Sequence, residues 1–289
     1  MPAPYAASII VPSFNRPERL RTCLEALVAL TGGPYDIVVV DDGSATPLDA
    51  ICAAFPPYVR CLRQNNAGPA AARNAGAAAA LAEFIAFTDD DCRPEPHWIQ
   101  ALIARHAGVE GRLVGGRVVN LLEHNVYAAA SQSLCDFLYD HFGAAQGTAP
   151  FFTSNNIGCS KTAFLRMGGF DRSFPLAAAE DRDFGLRWRD TPGGELVYAP
   201  EAIVGHAHDL SLRSFLRQHA NYGRGARHLH KVMDRRGDAR PRIEAIMFYL
   251  RLVAYPLTRP GRARLWQSAL LGLSQAAMVS GYLKAGWKG

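Results

Sequence analysis

The chain has 289 residues, 49% of them hydrophobic and 20% charged, with a formal net charge of +5. That length buries a sizeable core without staples, in one large α/β domain with an appendage or in two small domains. Its six cysteines, Cys23, Cys52, Cys61, Cys92, Cys135 and Cys159, form no CxxC pair and follow no regular spacing. This argues against a zinc site and against a disulfide framework, and fits a reducing, cytoplasmic compartment.

The start, MPAPYAASIIVPSF, lacks a basic n-region and has a short apolar run, so it reads as a first buried strand and not as a signal peptide. Four units then alternate. Ser8 to Val11 is a continuous apolar strand, and Asn15-Arg16-Pro17-Glu18 predicts a helix start with Asn15 as cap and Glu18 closing a capping box. Leu20, Cys23, Leu24, Leu27 and Val28 follow on one helical face. Strands are expected at 37–40, 59–62 and 84–88, with helices at 47–55 and, rich in alanine, at 69–82. Strands apolar on both faces, alternating with helices, predict an α/β fold with a mostly parallel central sheet covered on both sides.

Beyond residue 101 the alternation loosens. A strand is expected at 113–119, a helix at 127–142, an extended segment at 151–159 entering a helix at 161–167, a helix near 180–189 and a strand at 195–198. After His206 and His208 the pattern turns helical and basic. Residues 211–289 hold 15 Lys and Arg against 3 Asp and Glu, while residues 1–210 hold 16 against 23. A basic tail on an acidic body meets phosphates, of nucleic acid or of an anionic membrane, or is a solvated face.

Ligands of parallel sheets sit beyond the carboxyl ends of the strands. What stands there is acidic: Asp41-Asp42-Gly43-Ser44 after the second strand and Asp89-Asp90-Asp91 after the fourth. Three adjacent carboxylates repel unless a cation offsets them, and a hard divalent ion, Mg²⁺ or Mn²⁺, suits them. Such an ion completes its shell with waters and substrate phosphates, so a diphosphate ligand follows. The competing reading is a solvated acidic turn capping a helix that starts near Pro94. Asp42 can accept from a uracil or thymine imide or from ribose hydroxyls, or it is a plain Asp-Gly turn. The Glu180-Asp181 pair can supply a general base, or it is an acidic first helical turn favoured by the macrodipole.

In order along the chain, SIIVPSFNRPERL, DIVVVDDGS, NNAGPAAARNAGAAAA, FIAFTDDDCRPEPHW, SNNIGCSKTAFLRMGGFDRSF and AEDRDFGLRWRD resemble the family 2 glycosyltransferases of GT-A fold, over roughly residues 7–210. The resemblance implies a Rossmann-like catalytic domain at 1–210, with a nucleotide-binding half at 1–100 and an acceptor-binding half at 101–210, followed by a basic helical extension at 211–289. It implies that Pro12 and Asp42 line the base pocket and that Arg73 touches the base or a phosphate. Asp89 and Asp91 match the outer residues of the DxD motif, so Asp89, with Asp90 beside it, faces the ribose or sugar and Asp91 holds the metal. Asp181, paired with Glu180, matches the general base of an inverting transfer. Of His206 and His208, which alternate along a strand, one reaches the metal or diphosphate, and His206 is favoured.

The donor implied is a UDP-, dTDP- or GDP-sugar, and the acceptor a saccharide or a lipid-linked one. Arg187-Trp188 lacks the glutamine of the processive QxxRW motif, which implies transfer of one sugar at a time. A sugar-phosphate nucleotidyltransferase would want a glycine-rich loop after the first strand, where Pro12-Ser13-Phe14-Asn15 stands, and an inactive binding module would not need both Asp91 and Asp181. The uncharged run at 265–283, flanked by Arg262, Arg264, Lys284 and Lys288, suits an in-plane amphipathic helix better than a spanning one. A cytoplasmic enzyme in peripheral contact with an anionic membrane through 211–289 is therefore expected, with no nucleic-acid partner.

Overall fold

The computed structural model describes residues 5–147, 149–174, 176–239, 244–260 and 263–286. The chain forms two compact units, one of Met1–Val119, Gly143–Pro175 and Asp181–Ala207, the other of Asn120–Phe142, Leu176–Glu180 and His208–Gly289. The second unit thus takes in a helix that the sequence places in the acceptor-binding half.

The first unit is built on an α/β plan. In chain order it runs β1 (Ser8–Ser13), α1 (Pro17–Val28), β2 (Asp36–Asp41), α2 (Asp49–Cys52), β3 (Val59–Arg63), α3 (Pro69–Ala79), β4 (Phe84–Phe87), β5 (Cys92–Pro94) and α4 (Trp98–His106). Next comes β6 (Arg112–Asn120), which leads into α5 (Val126–His141) of the second unit; then β7 (Ile157–Ser160), α6 (Lys161–Arg166), α7 (Glu180–Asp190) and β8 (Glu195–His206). Eight strands form one sheet in the order β3-β2-β1-β4-β7-β6-β8-β5. The pairs β1–β2, β1–β4 and β2–β3 are parallel, with Ile10 beside Val38 and Phe87. From β4 onward the pairings with β7, and of β7 with β6 and β5 with β8, are antiparallel.

The apolar strands are buried on both faces, as their composition requires: Ile9, Ile10, Val11 and Ile37 to Val40 are all buried. Helix α1 covers one face through Leu20, Cys23, Leu24 and Leu27. The alanine-rich α3 lies close on β1 and β2, and a Cβ on Gly76 would meet Ile10 Cγ2 at 2.5 Å. Small residues on that helix are what permit the approach.

Three sequence expectations change. Asn15 does not cap α1. The cap position is Arg16 with no side-chain bond, while Asn15 takes a left-handed φ of 55° and its Oδ1 accepts from the Ala45 N–H. Its backbone N–H goes to Ser44 Oγ, so the residue ties the β1 loop to the β2 loop. No helix starts near Pro94; Cys92–Pro94 pairs with β8, and α4 begins at Trp98. The strand expected at 195–198 continues to His206, where its residues Ala199, Ala202 and Val204 enter the core.

The turn after β2 is organised by Asp41. Its buried carboxylate accepts from the Ser44 and Leu48 N–H groups and from Arg63 at 2.6 Å. Burial alone would raise this acid, but those hydrogen bonds and the Arg63 charge hold it below its ordinary value.

The second unit is helical: α5, α8 (Leu212–Arg236), α9 (Ile246–Ala254) and α10 (Arg264–Gly286). Asn125 caps α5 by accepting from the Tyr127 and Ala128 N–H groups, and Ser211 and Ser214 form a capping box on α8. Helices α8 and α10 cross at glycines. A Cβ on Gly223 would lie 1.9 Å from the Met278 carbonyl, and one on Gly281 would lie 1.9 Å from that of Ala220. Leu134 and Phe137 of α5, Leu252 of α9 and Leu271 of α10 share a buried cluster. No helix among the described residues is long and apolar enough to cross a membrane.

Because backbone, not a movable side chain, opposes Gly223 and Gly281, replacing either by alanine should destabilise the protein by about 1–3 kcal/mol in urea unfolding. Asp41→Asn should cost on the order of 1–3 kcal/mol at neutral pH. A carboxylate with a depressed folded pKa stabilises above its unfolded value, about 3.9, and stops doing so as pH falls through the folded one. The difference between wild type and Asp41→Asn should therefore shrink below about pH 4 in a urea series run across pH.

Candidate active site

Strand β4 ends by handing its chain to Asp89, Asp90 and Asp91, and the three side chains diverge. Asp89 keeps 31% of its side chain exposed and accepts from Arg73 Nη2 at 2.8 Å. Asp90 turns inward, accepting from Ser13 Oγ at 2.7 Å and Arg16 Nη1 at 3.1 Å. Asp91 is buried, with Arg19 Nη1 at 3.1 Å, Arg16 Nη1 at 3.5 Å and His206 Nε2 at 3.3 Å. Burial pushes the Asp90 acid up to about 6, helped by its acidic neighbours and opposed by Arg16. The charge that a divalent ion alone was expected to offset is met by three arginines and a histidine. The sequence does not single out Arg16, at the cap position of α1, or Arg19 in its first turn, although their three-residue spacing puts them on one side of the helix start.

His206 is the last residue of β8 and pairs in register with Cys92 of β5. The Ala207 N–H also bonds to the Asp91 carbonyl at 2.9 Å, so backbone and side chain both fix the histidine against the acidic loop. Burial works against its imidazolium, but the Asp91 hydrogen bond and carboxylate charge raise it above its ordinary value. His208 lies beyond the strand, in the second unit. The ligand atoms of Asp91, Cys92 and His206 lie within 4.8 Å of one another, a spacing that one ion can span. Cys92 is fully buried in the core cluster, and burial pushes its thiol well up. The donor set that fits a cation is thus an oxygen from Asp91 and an imidazole nitrogen from His206, which suits Mn²⁺ with its remaining positions filled by water or phosphate.

Asp42 is buried and its oxygens accept from Gln64 Nε2 at 2.7 Å and from the Ala67 and Gly68 N–H groups, both at 2.9 Å. It ties the loop that leads into α3 to the end of β2. Gly43, at φ 80°, allows the turn to pass Asn66, whose N–H a Cβ there would meet at 2.7 Å. Pro12 is half-buried on β1 opposite Val40.

Arg73 emerges from α3 almost fully buried, over the Phe170 ring at 5.5 Å. That ring stacks on Phe184 of α7 at 4.4 Å and meets Phe87 of β4 edge-on. Next to it Asn74, also missed in the sequence, gives its Nδ2 to the Phe170 carbonyl and accepts the Phe170 N–H. The Gly168-Gly169-Phe170-Asp171 turn is therefore clamped to α3 beside Arg73.

Asp181, half-buried in the first turn of α7, accepts from the Arg182 N–H at 2.8 Å. Burial raises its acid above the ordinary value, against the opposing charges of Arg182 and Arg73. Arg73 is thus the residue whose field reaches both Asp89 and Asp181. Glu180 is buried at the first position of the helix and falls in the second unit. Asp183 and Arg187 pair at 2.8 Å, and Arg187 also donates to the Gly169 carbonyl. Trp188 is buried with Nε1 on the Gly111 carbonyl. Arg187 and Trp188 both serve packing here.

Residues 8–171 match the model of glycosyl transferase family 2. The pre-mycofactocin glycosyltransferase of Mycobacterium tuberculosis is 31% identical over 236 residues, which cover 78% of this chain and 47% of that protein. The chain thus spans about half the length of this relative. A mannosyltransferase from Pyrobaculum calidifontis, solved with GDP-Man and Mn2+, superposes with a TM-score of 0.64 at 15% identity, covering 96% of this chain and 75% of its own. GalNAc-T7, solved with UDP, GalNAc and Mn2+, gives 0.58 at 16% identity over 72% and 44%. The fold is GT-A, and with more than half its length matched, the chain belongs to glycosyl transferase family 2.

Proposed function

We propose that the chain is a metal-dependent, inverting glycosyltransferase that moves a single sugar from a nucleotide-diphosphate sugar to an acceptor hydroxyl. The observation that carries this is Asp91 facing His206 at 3.3 Å, at the sheet edge where β4 and β8 end. An acidic oxygen and an imidazole from two strands suit an ion that grips a diphosphate. The Mn2+ and nucleotide ligands of the two solved relatives support the same use here.

Asp91 and His206 would hold the ion. Bound there, Mn²⁺ or Mg²⁺ would offset the charge that grows on the leaving diphosphate, so no protein acid is needed at that oxygen. Asp89, the exposed member of the triplet, faces the ribose or the sugar, and Asp90 supports the site from beneath through Ser13 and Arg16. Asp42 and Pro12 shape the base pocket. Asp42 acts by holding the 64–68 loop, and Arg73 steadies Asp89 and supplies positive charge beside a phosphate. Asp181 takes the proton from the attacking hydroxyl, with Glu180 fixing the turn that presents it. A carboxylate raised above its ordinary pKa is a stronger base at neutral pH. The donor is a UDP-, dTDP- or GDP-sugar. The acceptor is a saccharide or lipid-linked sugar of envelope polysaccharide synthesis at the cytoplasmic face of the membrane. The nucleotidyltransferase alternative lacks support, since β1 runs into Pro12-Ser13-Phe14-Asn15 with no glycine-rich loop.

Asp91→Ala should abolish Mn²⁺-dependent donor binding in calorimetry, whereas Asp181→Asn should bind donor normally and transfer roughly 100-fold more slowly or worse. Near-normal transfer by Asp181→Asn would place the base elsewhere. Because the Asp181 acid is raised, the wild-type turnover number should climb with pH through a limb lying above the ordinary carboxylate range. A rate that stays flat down to pH ~4 would contradict the assignment.

A further inference from the structure

The sequence predicts an amphipathic helix at 265–283, and the structure shows how its faces divide: α10 buries leucines beside Ser268 and Ser274 and leaves further apolar side chains exposed. Its inner face is covered, with Leu270 and Leu271 buried and Gly281 against Ala220. Its outer face holds Leu265 at 77% exposure, Trp266 at 71%, Leu273 at 49% and Leu283 at 61%. Helix α9 repeats the arrangement. Leu252 is buried in the cluster shared with α10, while Ile246 and Leu250 stand 72% and 56% exposed. Exposed apolar surface of this extent, on helices whose other side is already packed, marks a contact site.

The charge pattern names the occupant. Residues 245–289 contain six Lys and Arg and no Asp or Glu. Arg251 lies on α9, Arg264 opens α10 and Lys284 stands in its last turn, with Trp266 in the first turn beside Arg264. Arg262 and Lys288, which complete the basic flanks, lie outside the described residues. Arg259 is paired with Asp140, and a second copy of the chain laid on this face would bring the remaining cations of the segment together. An anionic lipid surface offers apolar depth for the leucines, an interfacial level for the indole and phosphates for the cations.

We propose that the outer faces of α9 and α10 form an in-plane docking surface for an anionic bilayer, entering it to the headgroup boundary without crossing it. This deepens the peripheral membrane contact that the sequence leads one to expect through 211–289, rests on the proposed membrane-borne acceptor, and depends on neither donor nor metal.

The test is flotation of the whole chain with vesicles of phosphatidylcholine alone or with about one-third phosphatidylglycerol. Binding should be at least about tenfold tighter to the anionic vesicles and should weaken as salt rises, since each basic residue near the surface contributes roughly fivefold. The double variant Trp266→Ser, Leu273→Ser should lose about tenfold or more of that binding. It should keep its far-UV circular dichroism, its melting temperature and its donor-dependent release of nucleoside diphosphate. Equal binding by wild type and variant, no preference for anionic lipid, or no vesicle binding at all would each overturn the inference. So would a wild-type dimer in light scattering that the same substitutions dissociate, because the face would then belong to a second copy. Loss of sugar transfer with vesicle binding intact would instead count against the catalytic reading alone.

Discussion

Three adjacent carboxylates at the end of a buried strand cannot stand without positive charge around them, and the answer to that need shapes the whole first unit. Arg16 and Arg19 come from α1, Arg73 from α3 and His206 from β8. These cations come from three separate elements, so the loop after β4 is where α1, α3 and β8 are electrostatically joined. Buried acids cost least when their cations are held in place by packing. The aromatic cluster under Arg73 and the apolar face of α1 do that holding.

The part of this that the sequence displayed is the part governed by local pattern. Continuous β-branched runs marked β1 and β2, helical spacing marked α1, and carboxylates beyond strand ends marked the site, because all three are properties of neighbouring residues. What it concealed depends on distant ones. Asn15 has every local credential of a helix cap, yet the nearby Ser44-Ala45 turn claims both its N–H and its amide oxygen. The three-residue β5 is too short to show periodicity and exists only because β8 runs long enough to meet it. Arg16 and Arg19 read as ordinary first-turn polar residues until the fourth strand is placed beside them. Asp41, which organises the turn, was overshadowed by Asp42, since nothing in the dipeptide says which carboxylate faces its own backbone.

The second unit was legible in charge and in helix content but not in surface character. Hydropathy averaged along 265–283 looks moderate because Ser268, Ser274 and Gly281 are buried beside Leu270 and Leu271 on the covered side, where Gly223 and Gly281 let two backbones touch. The exposed side is left to leucine, valine and tryptophan. A linear reading blends the two faces, and only the packing separates them. The fold itself does not choose a sugar or an acceptor, for one architecture serves many of each.

The antiparallel register that sets Cys92 opposite His206 has an effect on how such a chain can diverge. Successive side chains of a strand point to opposite faces, so a single-residue insertion or deletion within β8 would rotate the imidazole away from Asp91 and present Gly205 or Ala207 instead. The twelve residues of β8 thus keep their number for the sake of one side chain at their end. Length variation along that ribbon should accordingly be among the changes this edge of the site accepts least.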